Sequence, residues 1–114
     1  MAIVNITCEN DADFICGFVY QFEGGTPVDL TGNTMRMGIR RRAEDVIEDM
    51  LLTTENGGIA ITDPANGKFT IYISKQQLME LDVGDYEHSL IRDTGGNLLR
   101  IWSGGLTNNA GPSR

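Results

Sequence analysis

The apolar positions of this chain alternate with polar ones in short runs, and turn residues separate the runs. Residues 14–22 give the clearest case. Phe14, Cys16, Phe18, Tyr20 and Phe22 lie two apart, so in an extended strand all five side chains project to one face. Five apolar groups on one side mark it as a core face. Met35, Met37 and Ile39 alternate in the same way with Thr34, Arg36, Gly38 and Arg40. Phe69, Ile71 and Ile73 line one face of a further strand, and Tyr86, His88 and Leu90 line another. Shorter strands are expected over residues 3–8 and at Ile59 and Ile61, and a last one over 98–106 with Trp102 in it. Residues 46–54 fit two periods. Val46, Ile47, Met50 and Leu51 suit a short helix, whereas Val46, Glu48, Met50 and Leu52 suit a strand. The β pattern on either side favours the strand.

Between these runs lie strong turn signals: Gly24-Gly25, Asn56-Gly57-Gly58, Asn66-Gly67 and Gly95-Gly96-Asn97, where glycine supplies the backbone angles that tight turns require. Residues 26–32 read as a structured connection. Pro27 pre-sets its φ, and Asp29 and Thr31 can bond to nearby backbone. Ser74 followed by Gln77 three residues on forms a capping box. It predicts one short helix over about residues 75–81, with Leu78 and Leu81 facing inward. Together these elements predict an all-β, antiparallel sandwich of about seven or eight strands. Tyr86 opens a strand just after the helix, the place where a tyrosine corner stands in immunoglobulin-like sandwiches. The 114 residues suffice for one core, so residues 1–107 are read as a single domain and 108–114 as a polar tail.

The first two strands suggest a hairpin turning at Ala12. Cys8 then faces Cys16, Ile6 faces Phe18 and Val4 faces Tyr20, with all six side chains on one face. In that register Cys8 and Cys16 are either two small buried thiols or a disulfide, the second only if their Cβ atoms come close enough.

Charge narrows the partners. Sixteen acidic and nine basic side chains leave a net charge of -7. Nucleic acid and anionic membranes both ask for a basic footprint instead. No apolar run nears the roughly 18 residues of a membrane-spanning helix, and residues 1–7 lack the features of a secretion signal. Synthesis in a cytoplasm is therefore expected. The one local positive feature is Arg40-Arg41-Arg42, beside Glu44, Asp45, Glu48 and Asp49. It is either a solvated strand end with local ion pairs or a contact for an acidic neighbouring subunit.

Candidate chemistry is sparse. His88 is the single histidine, and with Cys8 and Cys16 it matches no zinc-ligand spacing. No glycine-rich elbow accompanies a serine, and the glycine pairs follow no phosphate-binding pattern. Glu9, Asn10, Asp11 and Asp13 begin like a calcium loop but lack its central glycine and closing glutamate. The expectation is a binding or building domain without catalytic, cofactor or metal residues, and not an enzyme.

Three segments carry a resemblance. Thr26-Pro27-Val28-Asp29-Leu30-Thr31-Gly32 leads into the strand Met35-Arg36-Met37-Gly38-Ile39-Arg40. Gly67-Lys68-Phe69-Thr70-Ile71-Tyr72-Ile73-Ser74 leads into the short helix. Gly84-Asp85-Tyr86-Glu87-His88-Ser89-Leu90-Ile91 precedes the final strand with Trp102-Ser103-Gly104-Gly105. This series resembles small structural proteins of tailed bacteriophages and prophages, and is similar to the immunoglobulin-like N-terminal domain of upper baseplate proteins. The resemblance implies a virion protein of the tail, baseplate or fibre attachment, contacting other virion proteins and forming a homo-oligomer or ring. Baseplate proteins of that kind continue into a helical or fibre region, whereas this sequence ends with the sandwich. Capsid decoration and neck roles therefore stand as alternatives, and a carbohydrate-binding module as a further one.

Overall fold

The alternating runs become strands in the computed structural model, which describes residues 2–114. In chain order the elements are β1 (Ala2–Ile3), β2 (Ile6–Glu9), β3 (Phe14–Val19), β4 (Thr34–Arg40), β5 (Met50–Thr53), β6 (Ile59–Asp63), β7 (Lys68–Ile73), α1 (Lys75–Glu80), β8 (Gly84–Asp93) and β9 (Leu98–Asn109). They form two sheets. The larger runs β5–β4–β8–β9, with β1 and β2 both on the far edge of β9, and the smaller runs β3–β7–β6. From β3 to β9 this division in chain order is that of an immunoglobulin sandwich with one strand added beside β4, while the first strand, interrupted as β1 and β2, lies on β9.

The core fills from both inner faces. Met37, Ile39 and Leu90 of the larger sheet and Phe69, Ile71 and Ile73 of the smaller are buried, as is Leu78 from the helix. Phe18 and Phe69 meet Trp102 across the gap, with ring centroids 4.7 and 5.7 Å away. The helix begins as expected. The Ser74 side chain accepts from Gln77 N, and the Gln77 side chain accepts from Ser74 N. Asp13 adds a bond from outside, its Oδ1 accepting from Lys75 N at 2.6 Å. The Tyr86 hydroxyl donates to Asp82 O at 2.7 Å, closing the tyrosine corner. Burial pushes the Tyr86 phenol up from its ordinary value.

The N-terminal segment departs from the expected hairpin. β2 pairs with β9, not with β3, and does so in parallel: Ile6 stands opposite Leu106 and Cys8 opposite Asn108. β1 keeps the same register, with Ala2 opposite Trp102. The predicted burial of Ile6 and Cys8 is correct. Alternation states which face is buried but not which sheet edge the strand joins. Between β1 and β2 the chain stays bound. Val4 N donates to Ser103 O at 2.9 Å, and Gly105 N donates to Asn5 Oδ1 at 3.0 Å. A Cβ at Gly104 would fall on the carbonyl oxygen of Val4. Glycine inside a strand marks such a close approach of a second backbone.

Other expectations are corrected in detail. Cys8 and Cys16 lie in different sheets and are free thiols. Phe22 lies past the end of β3 and is 58% exposed, because the chain leaves the sheet at a turn where Phe22 N bonds Thr26 O. Residues 41–49 are irregular, and the strand begins only at Met50. The last strand runs to Asn109, not 106. Asn108 is fully buried, its Nδ2 donating to Leu78 O and Leu81 O. Gly111 N then donates to Asn10 Oδ1 at 2.8 Å, so the segment read as a tail is bound to the turn after β2.

His88 sits on the core face of β8, where its Nε2 lies 3.1 Å from Gly105 O. That carbonyl makes Nε2 the protonated nitrogen. Nδ1 is buried without a partner. Burial pulls the His88 pKa below its ordinary value of 6.5, against the opposing pull of the Gly105 and Val4 carbonyls.

Three outcomes follow from this packing. Tyr86→Phe is expected to cost about 1–2 kcal/mol, since it leaves Asp82 O without its partner; chemical denaturation measures it. Because His88 has the lower pKa when folded, the unfolded chain takes up its proton first. The His88 contribution is therefore present above its ordinary value of 6.5 and is lost as pH falls from there through the depressed folded value. His88→Gln should flatten that slope in denaturation curves taken across the range. In thiol titration Cys16 should react in the native state. Cys8, whose pKa burial raises to about 11, should react only on unfolding, and a denatured sample without reductant should give both thiols free.

Candidate functional site

The outer face of the larger sheet is set by the same registers that build the core. Side chains opposite one another across strands fall into rows. In the first, Arg36 on β4, Ile91 on β8 and Arg100 on β9 stand side by side. In the second, Gly38, Ser89 and Ser103 follow, extended by Ile3 on β1. In the third come Arg40, Glu87 and Gly105. Across β4, β8 and β9 the middle row holds only small residues between taller neighbours. It forms the floor of an open concavity of about 650 Å³ that Ile3, Ile91 and the flanking charged residues line.

The register on this face depends on one irregularity. Leu90 pairs with Trp102 but Ile91 pairs with Arg100, so Ile101 is an extra residue on β9. The bulge turns Ile101 inward, where it is buried, and returns Arg100 to the outer face beside Ile91. Without it Trp102 and Arg100 would not both have their present sides, because neighbouring positions alternate.

Charge on the face is ordered. The Glu48 carboxylate lies over Gly38. It is 3.5 Å from Arg40 and 3.9 Å from Arg36. Arg40 Nη1 also donates to Asp45 O and Val46 O, at 3.0 and 2.8 Å. Further bonds order the 41–49 loop, and the last of them ties it to the sheet. Arg41 N donates to Asp49 Oδ2, Arg42 N to Asp45 Oδ2, and Ala43 N to Glu87 Oε2. At its tip Val46 and Ile47 are 94% and 78% exposed.

The arginine triplet does not act as a unit. Arg40 faces the concavity and is tied to Glu48 and the loop carbonyls. Arg41 turns the other way. Its guanidinium donates to Val83 O and Asp85 O and lies 4.3 Å from the Tyr86 ring centroid, so it braces the tyrosine corner. Arg42 is exposed, and its backbone N–H carries its bond to the loop. The two cysteines contribute nothing to this face. The Glu9–Asp13 turn is occupied by structural bonds, among them Asp11 Oδ2 accepting from Ser113 N at 3.2 Å. No cluster of metal-ligating side chains occurs among the described residues.

Sequence reading missed Arg36, Ser89, Ile91 and Arg100. Each sits at a polar or outward position of a correctly placed strand, and only pairing across strands puts them together. The small residues Gly38, Ser89 and Ser103 at outward positions were the available signal.

No family model and no curated protein matches the chain. Among solved structures the chain is similar to the N-terminal domain of phage TP901-1 ORF48. The two are 18% identical, with a TM-score of 0.55 over 95% of this chain and 85% of that one. The Ig1 domain of mouse SynCAM 2 aligns over 95% of this chain and 93% of its own, at 16% identity and a TM-score of 0.43, too loose for any argument to rest on it. At this identity the phage domain establishes a common fold: an all-β sandwich of two sheets.

Proposed function

We propose that the chain is a non-enzymatic structural protein of a bacteriophage particle, in the tail, baseplate or fibre attachment, and that it acts through protein–protein contacts. The observation that carries the binding half is the outer face of the larger sheet. It is concave along a row of small residues, carries opposite charges at fixed positions, and is bordered by a loop that displays two apolar side chains. Such a face suits a protein surface of matching shape and charge. The phage half is supported by the shared fold with the N-terminal domain of phage TP901-1 ORF48 and by the resemblance of the three sequence segments. A role in capsid decoration or the neck would use the same face at a different place in the particle, and copy number separates these positions.

A carbohydrate-binding role draws less support. Sugar rings stack on exposed aromatic faces, and the residues lining the concavity include no Phe, Tyr or Trp. Phe22 and Tyr72, the aromatic residues among the exposed large apolar side chains, lie elsewhere, Tyr72 on the smaller sheet and Phe22 in a turn.

Ser89→Arg places a long cation in the middle of the trough without touching the core. In particles produced from a strain carrying the variant gene, quantitative mass spectrometry should find incorporation lower by about tenfold or more, the loss of at least about 1.4 kcal/mol of contact energy. The melting temperature should be unchanged. Wild-type incorporation of a folded Ser89→Arg protein would contradict the role given to this face.

A further inference from the structure

We infer that a second copy of this chain pairs with the free edge of β3. The two β3 strands run antiparallel about a two-fold axis at Gly17 and join the two smaller sheets into one. The site lies on the smaller sheet, so it is independent of the role given to the concave face and of the phage assignment.

The edge is open because β2 pairs with β9, which leaves β3 with β7 as its one strand neighbour among the described residues. An unpaired edge is a template for another strand, and proteins usually blunt it. The other edges here are blunted. β5 is four residues long, β6 shifts register between Ile61 and Asp63, and the N-terminal strand is interrupted between Ile3 and Ile6. β3 has no such device. It runs six residues in unbroken register, and residues 14–22 hold no charge and no proline. Apolar side chains stand on both its faces. Ile15 and Val19 are 65% and 51% exposed on the outside, while Phe14, Cys16 and Phe18 are only half-buried on the core side.

In an antiparallel ladder alternate residues turn their N–H and C=O groups to opposite sides. Tyr20 N donates to Gly67 O, and Tyr72 N donates away from β3, to Gly58 O. Phe14, Cys16 and Phe18, in phase with Tyr20, are therefore the residues bonded to β7. Ile15, Gly17 and Val19 turn their backbone groups to the free edge.

These three positions read the same in either direction: bulky, glycine, bulky. A half-turn at Gly17 sets Ile15 of one copy opposite Val19 of the other, twice, with the two Gly17 residues facing each other at the axis. All are outward-bonding positions, so each pair exchanges both of its N–H to C=O bonds. On the outer face Ile15, which stands beside Tyr72, gains Val19 of the other copy as a cross-strand apolar neighbour. On the core side Cys16 meets Phe18 of the other copy, and Phe14 meets Tyr20. Each contact occurs twice, as a two-fold interface requires. A slip by two residues either way would set Val19 against Asp13 or Ile15 against Gln21, so the axis at Gly17 is the register that matches apolar with apolar. Because the stretch is uncharged, two chains of net charge -7 meet there without like charges in the contact.

Sedimentation over a concentration series, with amide hydrogen exchange, tests the pairing. The contact is one strand wide and smaller than a standard interface, so the dimer is expected to form at about 10–100 μM. As it forms, the amides of Ile15, Gly17 and Val19 should gain protection, while those of Cys16 and Phe18 are protected at every concentration. The double variant Ile15→Lys with Val19→Lys sets like charges opposite one another in both contacts and should weaken the dimer by about tenfold or more. Ile15→Glu with Val19→Glu should do the same. Both positions are exposed, so the monomer should stay folded in each variant. Mixing the two double variants should restore a one-to-one dimer, since the mixed pair has opposite charges at both contacts. Ser89→Arg, on the other sheet, should leave the dimer intact whatever it does to incorporation into particles. A wild-type chain that stays monomeric at about 500 μM, a dimer that both double variants leave intact, or a mixture that fails to pair overturns the inference.

Discussion

The carbonyl of Val4 lies where a side chain would stand on Gly104, and much of the architecture depends on that approach. It lets the N-terminal strand lie parallel along β9 in a single register through β1 and β2. β9 is therefore paired on both sides and becomes an interior strand of its sheet. The same approach shapes the surroundings of His88, which stands opposite Gly104 on β8 and has the Gly105 and Val4 carbonyls as its polar neighbours. A larger residue at Gly104 would push the first strand away and leave the backbone groups of β9 without partners, a cost that buried polar groups seldom bear.

Seating the first strand on β9 also decides what the outer face presents. Ile3 reaches the trough only because β1 stands beside Ser103. The trough is low because Gly38, Ser89 and Ser103 fall in one row, and that row exists because β4, β8 and β9 share a fixed register. The bulge at Ile101 keeps Arg100 outside while Trp102 packs against Phe18 in the core. Core and surface are thus two readings of one set of strand pairings. The 41–49 loop is tied to the same grid through Arg40 and Glu87, so its exposed Val46 and Ile47 are held at a defined place beside the trough.

Much of this was legible in the chain itself. The alternation of Met35, Met37 and Ile39, and of Phe69, Ile71 and Ile73, gave the buried faces correctly. The Ser74–Gln77 box and Tyr86 formed the cap and the corner expected of them. Two-residue periodicity is a local property, and strand pairing is not. The alternation of Ile6 and Cys8 marks them as core residues, which they are, yet that pattern fits the edge of either sheet, and the strand lies along β9 rather than in a hairpin at Ala12. Gly104 and Gly105 inside an otherwise apolar strand were the available hint that a second backbone passes there. Phe22 shows the converse limit: alternation continued past the point where the strand ended. The candidate face was least legible, since its members come from four strands and carry ordinary surface side chains. Of the arginine triplet, sequence showed the charge but not that Arg41 lies over the Tyr86 ring.

The central claim is that the close approach at Gly104 seats the N-terminal strand on β9. Hydrogen exchange on Gly104→Ala tests it most directly. The added methyl group must displace the Val4 carbonyl. Amides of residues 2–9 should lose their protection while those of β4, β7 and β8 keep theirs, and global stability should fall by about 1–3 kcal/mol. Unchanged protection over residues 2–9 in a variant as stable as the wild type would contradict the account.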